Sequence, residues 1–361
     1  MKKRGMKWAL GAMPVEAPDG IAAAMLLTDG ENIEEFGDTL FDAFSPSQRA
    51  VIHSAYGNWY PHKDVAETVE NAHAMTLNQL PEAEVIGFHG LTLAHEPGAR
   101  GSLEVGNGAL LAEVLNKPVV WDFKSNDMEL GGQGAPIEAF YHFALAKKIG
   151  ADQPIAILDI GPVSTLTWVD PSLSRPEQNG AIMSFHCGPG VALIDRELRK
   201  RTSGLSDQIG KRAEKGTPDS KLVEEALSGK YFLRMPPKSL DRLAFAGIGA
   251  RLTNRSDFNT AATLSLLVAG AAGLGVSQLP EPPEKVLVSG QGRKNRAIMR
   301  MLTKGLDVPV LNIDKAGIKG DMVSAQAMAY LAVRVLYGLP TTAPGTTGVA
   351  APVGGGQISR P

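Results

Sequence analysis

Ile155-Ala156-Ile157-Leu158-Asp159-Ile160-Gly161-Pro162-Val163-Ser164-Thr165-Leu166-Thr167-Trp168-Val169 is the stretch on which the fold turns. Ile155 to Ile160 reads as a buried strand that breaks at Gly161-Pro162, and Leu166 to Val169 returns as its hairpin partner. The chain opens the same way. Trp8-Ala9-Leu10 runs into a glycine/proline segment ending at Asp19-Gly20, and Ile21 to Leu27 is apolar again.

Each hairpin is followed by strands alternating with helices. In the first half these are a strand at 84–88 ending at His89-Gly90, a helix over 107–115 and a strand over 118–123. The glycine-rich loop Gly131 to Pro136 then leads into a helix over 137–149. In the second half a strand over 181–185 runs into Cys187-Gly188-Pro189-Gly190, and a helix-rich stretch spans 193–276. A short strand at 286–288 ends in Ser289-Gly290-Gln291-Gly292 before a helix through Leu302, an apolar helix over 322–337 and a glycine/proline-rich tail. The echo predicts an α/β protein of two domains, each a mixed sheet covered by helices, with the glycine loops facing a shared cleft. The boundaries read as 1–145 plus 338–361 for the first domain and 146–337 for the second.

The 361 residues suffice for two cores. A net charge of −2, with basic clusters as short as Arg199-Lys200-Arg201 and Arg293-Lys294, argues against a nucleic-acid partner. One cysteine excludes an internal disulfide and fits a reducing compartment. No signal-peptide stretch follows the basic start, and no window is expected to reach a membrane span, so the expectation is a soluble cytoplasmic protein without a membrane partner. No His/Cys spacing suggests zinc.

Four glycine loops follow apolar strands, at 11–20, 161–165, 188–190 and 290–292. Backbone amides approach a phosphate closely where no Cβ obstructs them, so the set points to a nucleotide. Neither a P-loop nor a Rossmann fingerprint is present.

His89-Gly90-Leu91-Thr92-Leu93-Ala94-His95-Glu96-Pro97 resembles the HGQT-x-x-H-x-P motif of the anhydro-N-acetylmuramic acid kinases. The likeness runs through Asn107, Asp122, Lys124, Asp127 and Gln133 to Pro136. It continues with Phe185 and Gly188-Pro189-Gly190 against FDTGPGN, Val288 to Asn295 against the adenosine-side GGGxxN loop, and Gly320 to Leu331 and Pro344 to Gly348 near the end. The resemblance implies a two-domain actin-like ATPase (ribonuclease H-like) fold and a kinase that uses ATP and Mg²⁺. Such a kinase opens the 1,6-anhydro ring with water and phosphorylates O6. It also implies roles: Met13, Pro14, Val15, Glu16, Ala17, Pro18, Asp19, Gly20, Gly161, Gly188, Gly290, Gly292 and Asn295 towards the nucleotide, with Asp19 also towards the metal. His89, Thr92, Asn107, Asp122, Asp127 and Gln133 would face the sugar, and Lys124, Asp159 and His186 the chemistry. The implied partners are a small amino sugar and a second copy of the chain.

The sequence departs from that pattern at the phosphate-handling positions. The family's MSGTSLDG is Met13 to Gly20 here, with two prolines and a carboxylate. His186 stands for the aspartate of FDTGPGN, Lys124 for the arginine of DFR, Leu91 for the glutamine of HGQT and Ser324 for a glutamate. A histidine is a base near neutral pH but brings no negative charge to a metal. Asp159, in an Asp-x-Gly hairpin, is placed to replace that charge. The second reading is a homologue that binds a cell-wall sugar without phosphoryl transfer. His89 and His95 read equally as structural hydrogen-bonders, Asp19 as a turn cap, and Asp122 and Asp127 as salt-bridge partners of Lys124.

Overall fold

The computed structural model describes residues 5–15, 19–60, 62–202 and 207–361. The chain divides into two compact units, one of residues 1–152, 170–182 and 321–361, the other of 153–169 and 183–320.

The first unit contains β1 (Lys7–Val15), β2 (Gly20–Thr28), β3 (Ile33–Ala43), α1 (Pro46–Ala55), α2 (Lys63–Leu77), β4 (Val85–Phe88), β5 (Leu91–Glu96) and β6 (Gly101–Val105). It goes on with α3 (Gly108–Leu115), β7 (Val119–Trp121), α4 (Ser125–Glu129) and α5 (Ala139–Lys148). Its main sheet has the order β13-β7-β4-β1-β2-β3, with β13 (Gln357–Ser359) closing one edge, and β5 and β6 pair apart from it. The β1–β2–β3 meander is antiparallel, whereas β4 runs parallel to both β1 and β7.

The second unit holds β8 (Ile155–Ile160), β9 (Val163–Val169), β10 (Ile182–Pro189), α6 (Val191–Arg199), α7 (Ser220–Leu227), α8 (Lys230–Leu233) and α9 (Asp257–Val276). β11 (Val286–Ser289), α10 (Arg296–Gly305) and β12 (Val310–Asn312) complete it. Its sheet order is β10-β9-β8-β11-β12, antiparallel at β8–β9 and parallel at β8–β11–β12. Both units are therefore the mixed α/β layers read from the sequence.

Three expectations are corrected. The helix read at 322–337 is α11 (Val323–Leu336), and it belongs to the first unit rather than closing the second. The reason is packing. A Cβ on Gly11 of β1 would lie 1.8 Å from the Ala325 carbonyl oxygen, and one on Gly87 of β4 would lie 2.0 Å from that of Met328, so bare glycine backbone lets α11 rest on the sheet. Next, α9 is long and apolar enough by length and composition to cross a membrane, contrary to the sequence expectation. Here it is the central helix of the second unit's core, with Ala261, Leu264, Leu267, Val268 and Ala272 fully buried. Lastly, the loop read over 11–20 is largely strand: Met13, Pro14 and Val15 pair with Ala22, Ile21 and Gly20. The parallel neighbour β4 stops at the Ala12↔Phe88 pair, so Pro14 lies past the pairing its missing N–H would have broken.

Candidate active site

Glu16, Ala17 and Pro18, which follow β1 in the sequence, lie outside the described residues. Beside them, Asp19 is buried with its Oδ1 3.2 Å from His53 Nε2, and its carbonyl accepts the Phe44 amide at 2.9 Å. Gly20 is glycine because a Cβ there would meet the Asp42 carbonyl at 2.3 Å. Among the described residues no group of three or more His, Cys, Asp or Glu is arranged to hold a metal.

The glycines of the second unit serve close packing. The Gly161 carbonyl accepts the Val191 amide at 2.8 Å and the Pro162 carbonyl accepts the Gly190 amide at 3.2 Å, so the two turns are tied to each other. Gly188 lies within β10, where a Cβ would sit 2.4 Å from Ala271 Cβ on α9. Gly290 adopts a positive φ of 68°, and a Cβ on Gly292 would meet Ile160 Cγ2 at 2.2 Å. Asn295 caps α10: its Oδ1 accepts the Ala297 and Ile298 amides, its Nδ2 donates to the Asp207 carbonyl, and it is 1% exposed. It shapes the loop from within rather than offering its side chain to a nucleotide.

Asp159 stands at the end of β8 among these turns. Its Oδ1 accepts the Ser289 hydroxyl at 2.8 Å. Burial pushes its carboxyl above the ordinary range, against the pull of Ser289, of the Arg293 charge and of the Gly161 amide. Arg293 is itself buried and forks onto Asp314, with Nε 3.1 Å from both carboxylate oxygens.

His186 is held on three sides. Its amide donates to the Lys238 carbonyl at 3.1 Å, its carbonyl accepts the Tyr231 hydroxyl at 2.5 Å, and its Nδ1 accepts the Leu240 amide at 2.8 Å. That last bond places the proton of the neutral ring on Nε2. Cys187 points the other way, donating to the Ser164 carbonyl at 3.3 Å, and burial pushes its thiol up to about 12, so it is no nucleophile.

In the first unit the motif block folds as the β5–β6 hairpin, which the sequence reading passed over. Thr92 and Glu104 are cross-strand partners. Lys124 donates to Thr92 Oγ1 at 2.6 Å and lies 3.3 Å from Glu104 Oε2. The other Glu104 oxygen accepts the Gly90 amide at 2.9 Å, and His89 Nε2 is 3.3 Å from Oε2. His89 Nδ1 meets the Gly90 carbonyl at 2.6 Å. Burial pulls the His89 ring down to about 4, although Glu104 pulls it up. The Glu104 carboxyl would rise on burial alone, but His89, Lys124 and the Gly90 amide hold it below its ordinary range. Glu104 is thus the hub that sequence reasoning missed. The available signal was the period-two face it shares with Thr92 once 91–105 is read as a hairpin.

The remaining sugar-side candidates divide. Asp127 is 1% exposed, so it is not placed to receive sugar hydroxyls; it accepts the Gly134 amide at 2.8 Å and the Thr342 and Thr347 hydroxyls at 2.6 Å each. Asp122, at φ 54°, caps Ser125 and accepts from Gln357 Nε2. Neither is the ion-pair partner of Lys124; that role falls to Glu104. Asn107 caps α3 through Ala109 and Leu110, and the Gln133 amide donates to the Thr347 carbonyl.

Two mixed α/β units, with a carboxylate set among glycine turns in one and a lysine–glutamate cluster in the other, are the frame that carries the candidate residues. The chain belongs to the anhydro-N-acetylmuramic acid kinase family, whose family model matches residues 39–360. It is 47% identical over 361 residues to the anhydro-N-acetylmuramic acid kinase of Roseobacter denitrificans, covering 99% of this chain and 96% of that protein. It is 48% identical over 357 residues to anhydro-N-acetylmuramic acid kinase 1 of a Jannaschia species, covering 98% and 95%. Among solved structures, a ROK family glucokinase from Streptomyces griseus aligns over 90% of this chain and 99% of its own, with 13% identity and a TM-score of 0.43, values too low to bear on function.

Proposed function

We propose that the chain is a cytoplasmic, homodimeric kinase of 1,6-anhydro-N-acetylmuramic acid that uses ATP and Mg²⁺ in the recycling of cell-wall amino sugars. Water adds at the anhydro carbon, the 1,6 bond breaks, and O6 takes the terminal phosphoryl group of ATP, giving N-acetylmuramic acid 6-phosphate and ADP.

The observation that carries the reading is Asp159. It is a half-buried carboxylate at the Gly161 and Gly290 turns with its Oδ1 held by the Ser289 hydroxyl at 2.8 Å, where a phosphoryl group would lie against bare glycine backbone. Bound ATP with its magnesium would supply the phosphoryl group. A raised pKa also makes Asp159 the stronger base towards the attacking water, and the Ser289 hydroxyl fixes its rotamer. In the first unit Lys124 and Thr92 are the polar groups for the sugar.

One observation favours the second reading, a sugar-binding homologue impaired in transfer. With the Leu240 amide on Nδ1, neutral His186 has no lone pair left for a proton. Incubation with the anhydro sugar, ATP and Mg²⁺, followed by mass spectrometry, decides between them. The 6-phosphate is the expected product; binding of the sugar with no product establishes the impaired homologue.

A further inference from the structure

The ring of His186 is held by a segment that has an anchor of its own. β10 is an edge strand of the second unit's sheet, and residues 238–240 cover its open side. There the Lys238 carbonyl takes the His186 amide and the Leu240 amide reaches Nδ1. Tyr231, earlier in the same segment, donates its hydroxyl to the His186 carbonyl.

Lys238 fastens that segment from inside. It is 2% exposed, and its Nζ lies 2.7 Å from the Arg234 carbonyl, 2.8 Å from Gln278 Oε1 and 3.4 Å from the Tyr231 carbonyl. Those three oxygens match the three N–H bonds of an ammonium, and none of them is charged. Gln278, just past α9, donates its Nε2 to the Phe232 carbonyl at 2.9 Å, so lysine and glutamine together close the C-terminal end of α8. The ammonium also sits 5.0 Å from the centre of the Tyr231 ring and 5.4 Å from that of Phe185, the residue before His186. A buried cation among neutral partners is costly to keep. Here its contacts converge on the residues that grip His186.

We propose that Lys238 is a positioning residue for His186. It holds residues 231–240 against β10, so that the Leu240 amide occupies Nδ1 and the neutral ring keeps its proton on Nε2. The catalytic meaning of this rests on the kinase reading above: position 186 then carries a fixed hydrogen-bond donor, and removal of a proton from water falls to Asp159.

Proton–nitrogen NMR on protein with isotope-labelled histidine reads the tautomer, with His186→Gln identifying the His186 signals among the seven histidines. Hydrogen exchange reads the Leu240 amide against the amides of β9. The wild-type ring is expected to be protonated on Nε2 alone; a proton on Nδ1 overturns the proposal. Lys238→Met keeps the length of the side chain and removes its charge. The ring should then become a mixture of both tautomers, and Leu240 should exchange about tenfold faster relative to β9. A merely structural Lys238 would lower the melting temperature and leave both signals as they are, which also overturns the proposal. Should Lys238→Met not fold, Gln278→Met removes one acceptor of the ammonium and decides instead. Relative exchange at Leu240 about threefold faster is expected, and an unchanged rate overturns the proposal. Formation of the 6-phosphate is measured alongside; its absence in the wild type overturns the kinase reading and leaves the tautomer result standing.

Discussion

Asp127 and Asp159 are both carboxylates beside glycine-rich turns, and their surroundings separate them. Asp127 is filled on both oxygens by Gly134, Thr342 and Thr347. Asp127→Ala would strand three buried donors, and we expect a loss of about 3 kcal/mol or more in urea denaturation. Asp159 has the opposite balance. Its pKa is raised by burial, so the folded state favours the protonated form and ionisation at neutral pH costs stability. Asp159→Asn is therefore expected to leave the melting temperature unchanged or higher while lowering turnover by about 10² to 10⁴; a large drop in melting temperature would mean a structural role. At position 186 the direction reverses. His186→Asp places an acceptor before the Leu240 amide and restores a negative base, so 6-phosphate formation should rise by about 10². An unchanged rate would show that the limitation lies elsewhere, with the first hairpin the next place to look.

At the scale of elements, the block from His89 to Pro136 shows how much a motif conceals. Its residues are contiguous in sequence, yet they split between the β5–β6 hairpin, the caps of α3 and α4, and a glycine turn tied to the C-terminal segment through Thr342 and Thr347. Lys124 and Thr92 were legible as candidates because they fall on the motifs that resemble the family's DFR and HGQT. Their common partner was not, because cross-strand register depends on the hairpin turn and not on local composition. The α11 contact makes a sharper test of packing. Gly11→Ala drives a methyl against the Ala325 carbonyl and the Ala329 amide nitrogen, backbone atoms of the first two turns of α11 that cannot yield without moving the helix. We expect a loss of about 3 kcal/mol or more, or failure to fold, read by denaturation and soluble yield.

Across the whole molecule, buried histidines set the response to acid. Burial pulls His73 down to about 4 and His142 to about 3, from an ordinary 6.5. The unfolded chain gains a proton on each as pH falls below about 6.5, and the folded chain does not until much lower. Stability is therefore present above that value and is lost as pH falls towards 4, at up to about 1.4 kcal/mol per pH unit per histidine. The urea midpoint should be lower at pH 5 than at pH 7. His73→Gln, whose amide can still donate to the Val69 carbonyl that His73 now meets at 2.7 Å, should flatten the slope. An identical slope would remove His73 as a cause.

The sequence by itself determined the alternation of strands and helices, the two echoing hairpins and the family, because apolar periodicity and motif spacing are local properties of the chain. Only the tertiary structure decided what the marked residues do. Gly11, Gly188 and Gly292 read as phosphate contacts and are glycine because a helix or strand lies against them. Asn295 and Asp127 read as ligand contacts and are consumed by backbone amides and hydroxyls. Whether a polar side chain faces a ligand or a neighbouring segment depends on which segments pack together, and that is fixed by burial and register over long separations rather than by the residue's own neighbours in sequence.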